Sequence, residues 1–73
     1  MELKKERFIR IAEARTNKII DMIRLLGNCA NKRNYSYTDE EVKKIFTAIE
    51  TELKITKGKF MEAEAVDKKF TLR

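Results

Sequence analysis

Two signals near the middle of the chain constrain its fold more than any other feature. Gly27 is followed by asparagine, a pair that stops a helix because glycine tolerates the left-handed conformation that commonly closes one. Thr38 with Glu41 three residues later is typical of a helix start, since the two side chains satisfy backbone N–H groups of the first turn. The predicted elements are a helix at about 3–27, a loop at 28–37, a helix at about 39–66 and a frayed tail at 67–73.

Length and composition agree with a single all-α domain. The chain has 73 residues, no proline, 40% charged residues and 42% hydrophobic residues. This balance suits charged helices around a narrow apolar seam and is too apolar for a disordered tail. A domain of this size has a thin core and limited stability unless something adds to it, and oligomerisation is a natural addition. We therefore predict a single helical-hairpin domain, residues 1–73, that self-associates.

The second predicted helix has one apolar side. Its apolar residues recur at spacings of three and four, which at 100° per residue places them within an arc of roughly 100°. One neighbouring helix is enough to cover an arc of that width. The stripe consists of Val42, Ile45, Phe46, Ile49, Leu53 and Phe60.

The first predicted helix has a much wider apolar face. Leu25, Ile11 and Met22 extend it to one side of Phe8, and Ile23, Ile9 and Ile20 extend it to the other, for a total arc of roughly 220°. One helix cannot cover that width, so a second neighbour is expected. The C-terminal segment with Val66, Phe70 and Leu72 is one alternative, but its apolar residues are widely spaced. We favour a second copy, which predicts a dimeric four-helix bundle with self-association through Ile9, Ile20 and Ile23.

The residue inventory disfavours catalysis. The chain has no histidine and only two glycines, which are far apart, so imidazole bases, histidine metal sites and glycine-rich phosphate loops are all excluded. The closely spaced carboxylates are one or two residues apart, and such neighbours do not face each other on a helix; they are Glu40 and Glu41, Glu50 and Glu52, and Glu62 and Glu64. We predict that the protein is not an enzyme and has no metal site and no cofactor.

The connecting loop is the best candidate for a binding site. The net charge is +5; residues 1–27 carry seven Lys and Arg against four Asp and Glu, and residues 28–37 carry two against none. Cations, amides and an aromatic ring at a hairpin tip are able to contact phosphates or anchor a protein interface. Asparagine and serine are also ordinary loop residues, so a purely connecting role is the alternative. The predicted partner-binding residues are Asn31, Lys32, Arg33, Asn34 and Tyr35.

A nucleic-acid face on the first helix is the competing hypothesis. Arg10, Asn17 and Arg24 are seven residues apart and nearly aligned on the helix. Acidic residues lie on the same side, and these would weaken attraction to phosphate. A solvated face of mixed charge is therefore the alternative interpretation.

Arg15 falls inside the apolar arc of the first helix. Long cationic side chains often lay their stem along an apolar seam while the charged end reaches water or a carboxylate. Antiparallel pairing through the loop would bring Glu52 close to it. A contact with an external partner is the second possibility.

The chain has neither the features of a secreted protein nor those of a membrane protein. No apolar run approaches the roughly 20 residues that cross a bilayer, and the first residues lack an apolar signal core. Cys29 is the single cysteine, so an internal disulfide framework is excluded and a reducing compartment is favoured. We expect a cytoplasmic protein with no membrane partner.

The segment from Arg7 to Phe60, and above all residues 24–38, resembles small uncharacterised helical proteins of conjugative and phage-related mobile elements of Gram-positive bacteria. The resemblance implies a bacterial cytoplasmic setting and carries no activity or site residues. The expected architecture is also similar in form to plasmid-encoded helical hairpins that dimerise into four-helix bundles and bind RNA, although no sequence motif is shared.

Taken together, these features favour a non-enzymatic protein-interaction module that acts as a small regulatory or accessory factor of a bacterial mobile element. Its expected partners are a second copy of itself and an unidentified protein. The alternative is a nucleic-acid-binding accessory protein that uses the basic loop and the first helix.

Overall fold

A computed structural model describes residues 1–67 of the chain, with side chains described for residues 1–63. These residues form two α-helices and no strand: α1, Lys4–Gly27, and α2, Asp39–Asp67. The all-α class predicted from the sequence is therefore confirmed. The chain divides into two units, Met1–Ser36 with α1 and a second that starts at Tyr37 with α2. Most of the predicted tail, residues 68–73, lies outside the described residues.

Helix α1 begins after an extended residue. Leu3 has φ −74° and ψ 155°, and its carbonyl oxygen accepts the N–H of Arg7 at 2.9 Å. The Glu6 carboxylate accepts the N–H of Leu3 at 3.3 Å. A carboxylate in the first turn both satisfies an unpaired backbone donor and complements the positive end of the helix dipole.

The end of α1 differs from the prediction. The helix does stop at Gly27, but no described residue has positive φ, and Asn28 remains right-handed at φ −68° and ψ −16°. Cys29 and Ala30 donate to the carbonyl oxygens of Leu26 and Gly27, each at 3.0 Å. These bonds span three residues, so the last turn tightens towards 3₁₀ geometry and satisfies its carbonyl groups without a left-handed glycine. The left-handed closure was wrong.

The start of α2 confirms the predicted cap. The Thr38 hydroxyl oxygen accepts the N–H of Glu41 at 3.1 Å, and the Glu41 carboxylate accepts the N–H of Thr38 at 2.9 Å. The Thr38 hydroxyl also donates to that carboxylate at 3.1 Å. Three bonds between two side chains and the backbone thus define where the helix begins.

Replacing Thr38 by alanine is expected to destabilise the protein by about 1 kcal/mol, because the N–H of Glu41 loses its acceptor and the hydroxyl bond to the carboxylate disappears. Thermal melts followed by circular dichroism measure the change. Thr51→Ala is the matched control, since its hydroxyl only donates to the Thr47 carbonyl at 2.8 Å in the helix interior. Equal melting midpoints for Thr38→Ala and the wild type would contradict the cap's contribution.

Helix α2 continues through Gly58. The assigned helix is unbroken from Asp39 to Asp67, and Gly58 does not have positive φ. Glycine in a helix interior costs about 1 kcal/mol relative to alanine. The residues that follow it, 60–65, are mostly strong helix formers and favour continuation.

Apolar side chains are exposed along both helices. No side chain of residues 1–63 is buried, and the half-buried apolar positions of α1 are Ile11, Ala12 and Leu26. In α2 the stripe positions Val42 and Ile49 are half-buried, while Phe46 and Leu53 are 48% and 53% exposed. Each stripe therefore presents apolar surface that the rest of its own helix does not cover.

Candidate functional site

The loop between the helices is built around Asn31. Its side-chain oxygen accepts the N–H of Arg33 at 3.0 Å, which is the bond of an Asx turn. Its backbone carbonyl accepts the N–H groups of Asn34 and Tyr35 at 3.2 and 2.9 Å. Asn31 is also half-buried. Because it accepts all three of these hydrogen bonds, this predicted binding residue organises the loop.

The turn that Asn31 holds displays the other predicted binding residues. Lys32, Arg33 and Asn34 form the turn itself and are exposed, and Tyr35 follows it with 53% of its surface exposed. Four consecutive side chains therefore project from a short segment whose backbone is held by three hydrogen bonds. Two cations beside an aromatic ring suit an acidic protein surface or a phosphate backbone.

Two of the three residues of the predicted nucleic-acid face are paired with acids. Arg10 donates from Nε and Nη2 to the two carboxylate oxygens of Glu2, at 2.8 and 2.9 Å. Arg24 Nη1 lies 4.0 Å from the Asp21 carboxylate, while Asn17 is exposed. The structure thus places acids beside both arginines, and an acid beside an arginine weakens its attraction to phosphate.

Glu2 is a residue that the sequence reasoning missed. It precedes α1 and lies eight positions from Arg10, so the spacing of three or four that identifies ion pairs within a helix does not reveal it. The extended backbone at Leu3 lets the N-terminal residues fold back along the first turns. Arg7 Nε is also near the Glu2 carboxylate, at 3.9 Å. Both arginines lie on the side of α1 that this N-terminal arm follows.

The bidentate pair shifts both titrations. Hydrogen bonds from Arg10 lower the pKa of the Glu2 carboxyl below its ordinary value and outweigh the opposing effect of desolvation, and the carboxylate raises the pKa of Arg10. Because the pKa of Glu2 is lowered by its contact with Arg10, the ionised carboxylate stabilises the N-terminal arm, residues 1–3, against α1 at pH values above the ordinary carboxyl pKa. That contribution is lost as the pH falls through the lowered value. Both groups are at the surface, so salt screens the pair.

Arg10→Ala is expected to raise the pKa of Glu2 towards its ordinary value of 4.5, because the carboxylate loses its two charge-assisted hydrogen bonds. An NMR titration of the Glu2 carboxyl carbon measures the shift directly. Arg24→Ala is the matched control and should leave the Glu2 titration unchanged. A Glu2 titration curve that is identical in the wild type and in Arg10→Ala would contradict the pairing.

The predicted self-association residues form one edge of the α1 apolar face. Ile9, Ile20 and Ile23 are 44%, 39% and 46% exposed. They fall within roughly 60° of one another on the helix at 100° per residue. Arg15 lies within the apolar arc, near its centre, and is exposed as well. The α1 face therefore combines continuous apolar surface with a cation inside it.

The described residues hold no cluster of three metal-ligating side chains, and Cys29 is a free, exposed thiol. Among the described residues, neither helix combines the length and apolarity needed to span a bilayer. Comparison with protein-family models, with curated proteins and with solved structures finds no match to this chain.

Proposed function

We propose that the chain is a non-enzymatic protein-interaction module, a small regulatory or accessory factor of a bacterial mobile element. The observation that carries this proposal is the apolar face of α1, which spans an arc of roughly 220° at 100° per residue and has no buried residue. Exposed apolar surface of this extent marks an interaction site in a water-soluble protein.

In the proposed assembly the two helices form a hairpin, and two hairpins form a four-helix bundle. The narrow stripe of α2, with Val42 and Ile49 half-buried, suits one neighbouring helix, and the wider face of α1 suits more than one. Pairing the centre of the α1 face with the narrow stripe of α2 leaves the edge formed by Ile9, Ile20 and Ile23 for the second copy. Apolar positions spaced three and four apart are the pattern that packs such bundles.

The tip of the hairpin is the proposed recognition site for the second partner, a protein with an acidic surface. The Asx turn at Asn31 fixes the backbone, and Lys32, Arg33, Asn34 and Tyr35 are exposed on it. A preorganised turn loses less conformational entropy on binding than a flexible one. Tyrosine, tryptophan and arginine side chains also contribute more of the binding energy of protein interfaces than most other residue types.

Binding of nucleic acid is the second candidate function. The charge distribution favours this function, since the whole excess of Lys and Arg over Asp and Glu lies before residue 38. It is weakened by the acids that lie beside Arg10 and Arg24. The other cations of the proposed set, Lys32 and Arg33, lie at the tip.

A capture experiment with a salt titration tests the proposal against this alternative. The tagged 73-residue chain is used as bait in a lysate of the cells that encode it, with and without nuclease, and retained protein and nucleic acid are measured as salt increases. A protein partner that survives nuclease and moderate salt supports the interaction module. Retained nucleic acid that is lost steeply with salt, and with it all captured protein, supports the alternative, because phosphate binding releases counterions.

A further inference from the structure

We call the edge of the α1 apolar face formed by Ile9, Ile20 and Ile23 the isoleucine edge. The opposite edge of that face carries cations among its apolar residues. Positions 4, 7, 11, 15, 18, 22 and 25 are spaced three or four apart and therefore lie within an arc of roughly 80° along α1. We call this set the cationic stripe. Its charged members are Lys4, Arg7, Arg15 and Lys18, and its apolar members are Ile11, Met22 and Leu25.

The cationic stripe contains no acid. Glu6 and Glu13 lie on the far side of the helix, and the Asp21 carboxylate lies 4.0 Å from Arg24 outside the stripe. Glu2 approaches one member, Arg7 at 3.9 Å, but its two hydrogen bonds go to Arg10. The charges along the stripe are therefore of one sign from its first turn to Lys18.

The isoleucine edge carries much less charge than the cationic stripe. One cation, Lys5, falls at the same angle as Ile23, and its ammonium lies 5.8 Å from the centre of the Phe8 ring. The two edges of α1 therefore suit different occupants. A second copy fits the weakly charged edge, whereas two cationic stripes brought together would repel each other.

We propose that the cationic stripe docks an acidic amphipathic helix of another protein, an inference that rests on the proposed function. The stripe offers two exposed apolar anchors at its C-terminal end, Met22 at 64% and Leu25 at 58% exposure. All four cations precede these anchors, between Lys4 and Lys18, so the complementary helix carries carboxylates opposite the cations and apolar residues opposite the anchors. Charges of opposite sign at such flanking positions set partner choice between helices.

The position of Arg15 favours a helix over a lipid surface. Arg15 lies close to the centre of the apolar arc, the part of an interfacial helix that enters a bilayer most deeply. A cation at that depth is unfavourable unless its side chain reaches the lipid headgroups. On a partner helix, a carboxylate is able to meet the guanidinium directly at the same place.

The test uses copies of this chain as probes. The acidic probe carries Lys4→Glu, Arg7→Glu, Arg15→Glu and Lys18→Glu, so its stripe has the same apolar members and the opposite charge. The control probe has the same total charge, with Lys43→Glu, Lys44→Glu, Lys54→Glu and Lys59→Glu on α2. Binding of labelled wild-type chain to each probe is measured by fluorescence anisotropy. We expect roughly tenfold tighter binding to the acidic probe at low salt, with a difference that shrinks as salt rises.

Equal affinity for the two probes overturns the proposal, because net charge alone would then explain the attraction. Vesicles of phosphatidylglycerol and phosphatidylcholine form a separate arm. Wild-type binding to them, without a preference between the two probes, assigns the stripe to lipid and also overturns the proposal. Should the acidic probe lose helicity by circular dichroism, Arg15→Glu with Lys18→Glu is compared with Lys43→Glu with Lys44→Glu.

Sedimentation of the wild type alone separates this inference from the proposed function. A wild-type chain that stays monomeric yet prefers the acidic probe removes self-association and leaves the stripe proposal intact. A wild-type dimer with equal affinity for the two probes removes the stripe proposal alone.

Discussion

Ile20→Asp and Ile23→Asp are each expected to abolish self-association at micromolar concentration. Both isoleucines are partly exposed within the chain, at 39% and 46%, and both lie on the edge proposed to meet the second copy. Burying an unpaired carboxylate at an interface costs roughly 3–5 kcal/mol. A micromolar dimer has an association free energy of about 8 kcal/mol, so a loss of that size raises its Kd by 100-fold or more. Sedimentation at increasing concentration measures the change.

Asn17→Asp is the matched control for these variants. It introduces the same side chain on the polar side of α1, at an exposed position, and should leave the dimer intact. Circular dichroism separates loss of association from loss of helix. A wild-type chain that is fully helical and monomeric throughout the concentration range would disprove self-association through this edge.

Lys32→Glu combined with Arg33→Glu is expected to reduce binding of the second partner sharply while helicity and self-association are retained. Exposed loop charges contribute little to folding, but reversing two of them opposite an acidic surface introduces repulsion at each contact. Binding of the captured partner is measured for the wild type and the variant. A loss of at least tenfold at low salt is expected from two reversed charges.

Lys43→Glu with Lys44→Glu is the matched control for the tip, because it reverses two adjacent exposed lysines on α2. It should bind the partner as the wild type does. Tyr35→Ala tests the aromatic contact separately and should also weaken binding, since it removes a rigid side chain that is 53% exposed. If the tip variant and the control bind equally well, the loop is only a connector and the proposal for its function fails.

Local signals in the sequence predicted most of the helical structure. The Thr38 and Glu41 pair defined the start of α2 because both members of the cap lie within one turn, and such bonds depend on sequence neighbours alone. The stop at Gly27 was also predictable, although its geometry was not. Whether a helix closes through left-handed glycine or a tightened turn depends on where the following residues lead the chain, which residue type does not specify.

The candidate site was predicted in part. Exposed cations and a tyrosine in the loop follow from the polar composition of residues 28–37. The Asx turn at Asn31 assigns that residue to the backbone of the loop, a role that composition does not distinguish from binding. The predicted nucleic-acid face of α1 differs more from the expectation. Arg10 pairs with Glu2 across eight residues, because the extended backbone at Leu3 turns the N-terminus back along the helix.

Helix positions, the cap of α2 and the two apolar stripes thus follow from residue order, because their interactions join residues at most four apart. The pairing of Glu2 with Arg10 and the turn at Asn31 follow from backbone directions outside the helices. Those directions depend on the φ and ψ angles of non-helical residues, for which several conformations have similar energy. Folding in three dimensions selects among these conformations, and with them decides which cations of α1 lie beside a carboxylate.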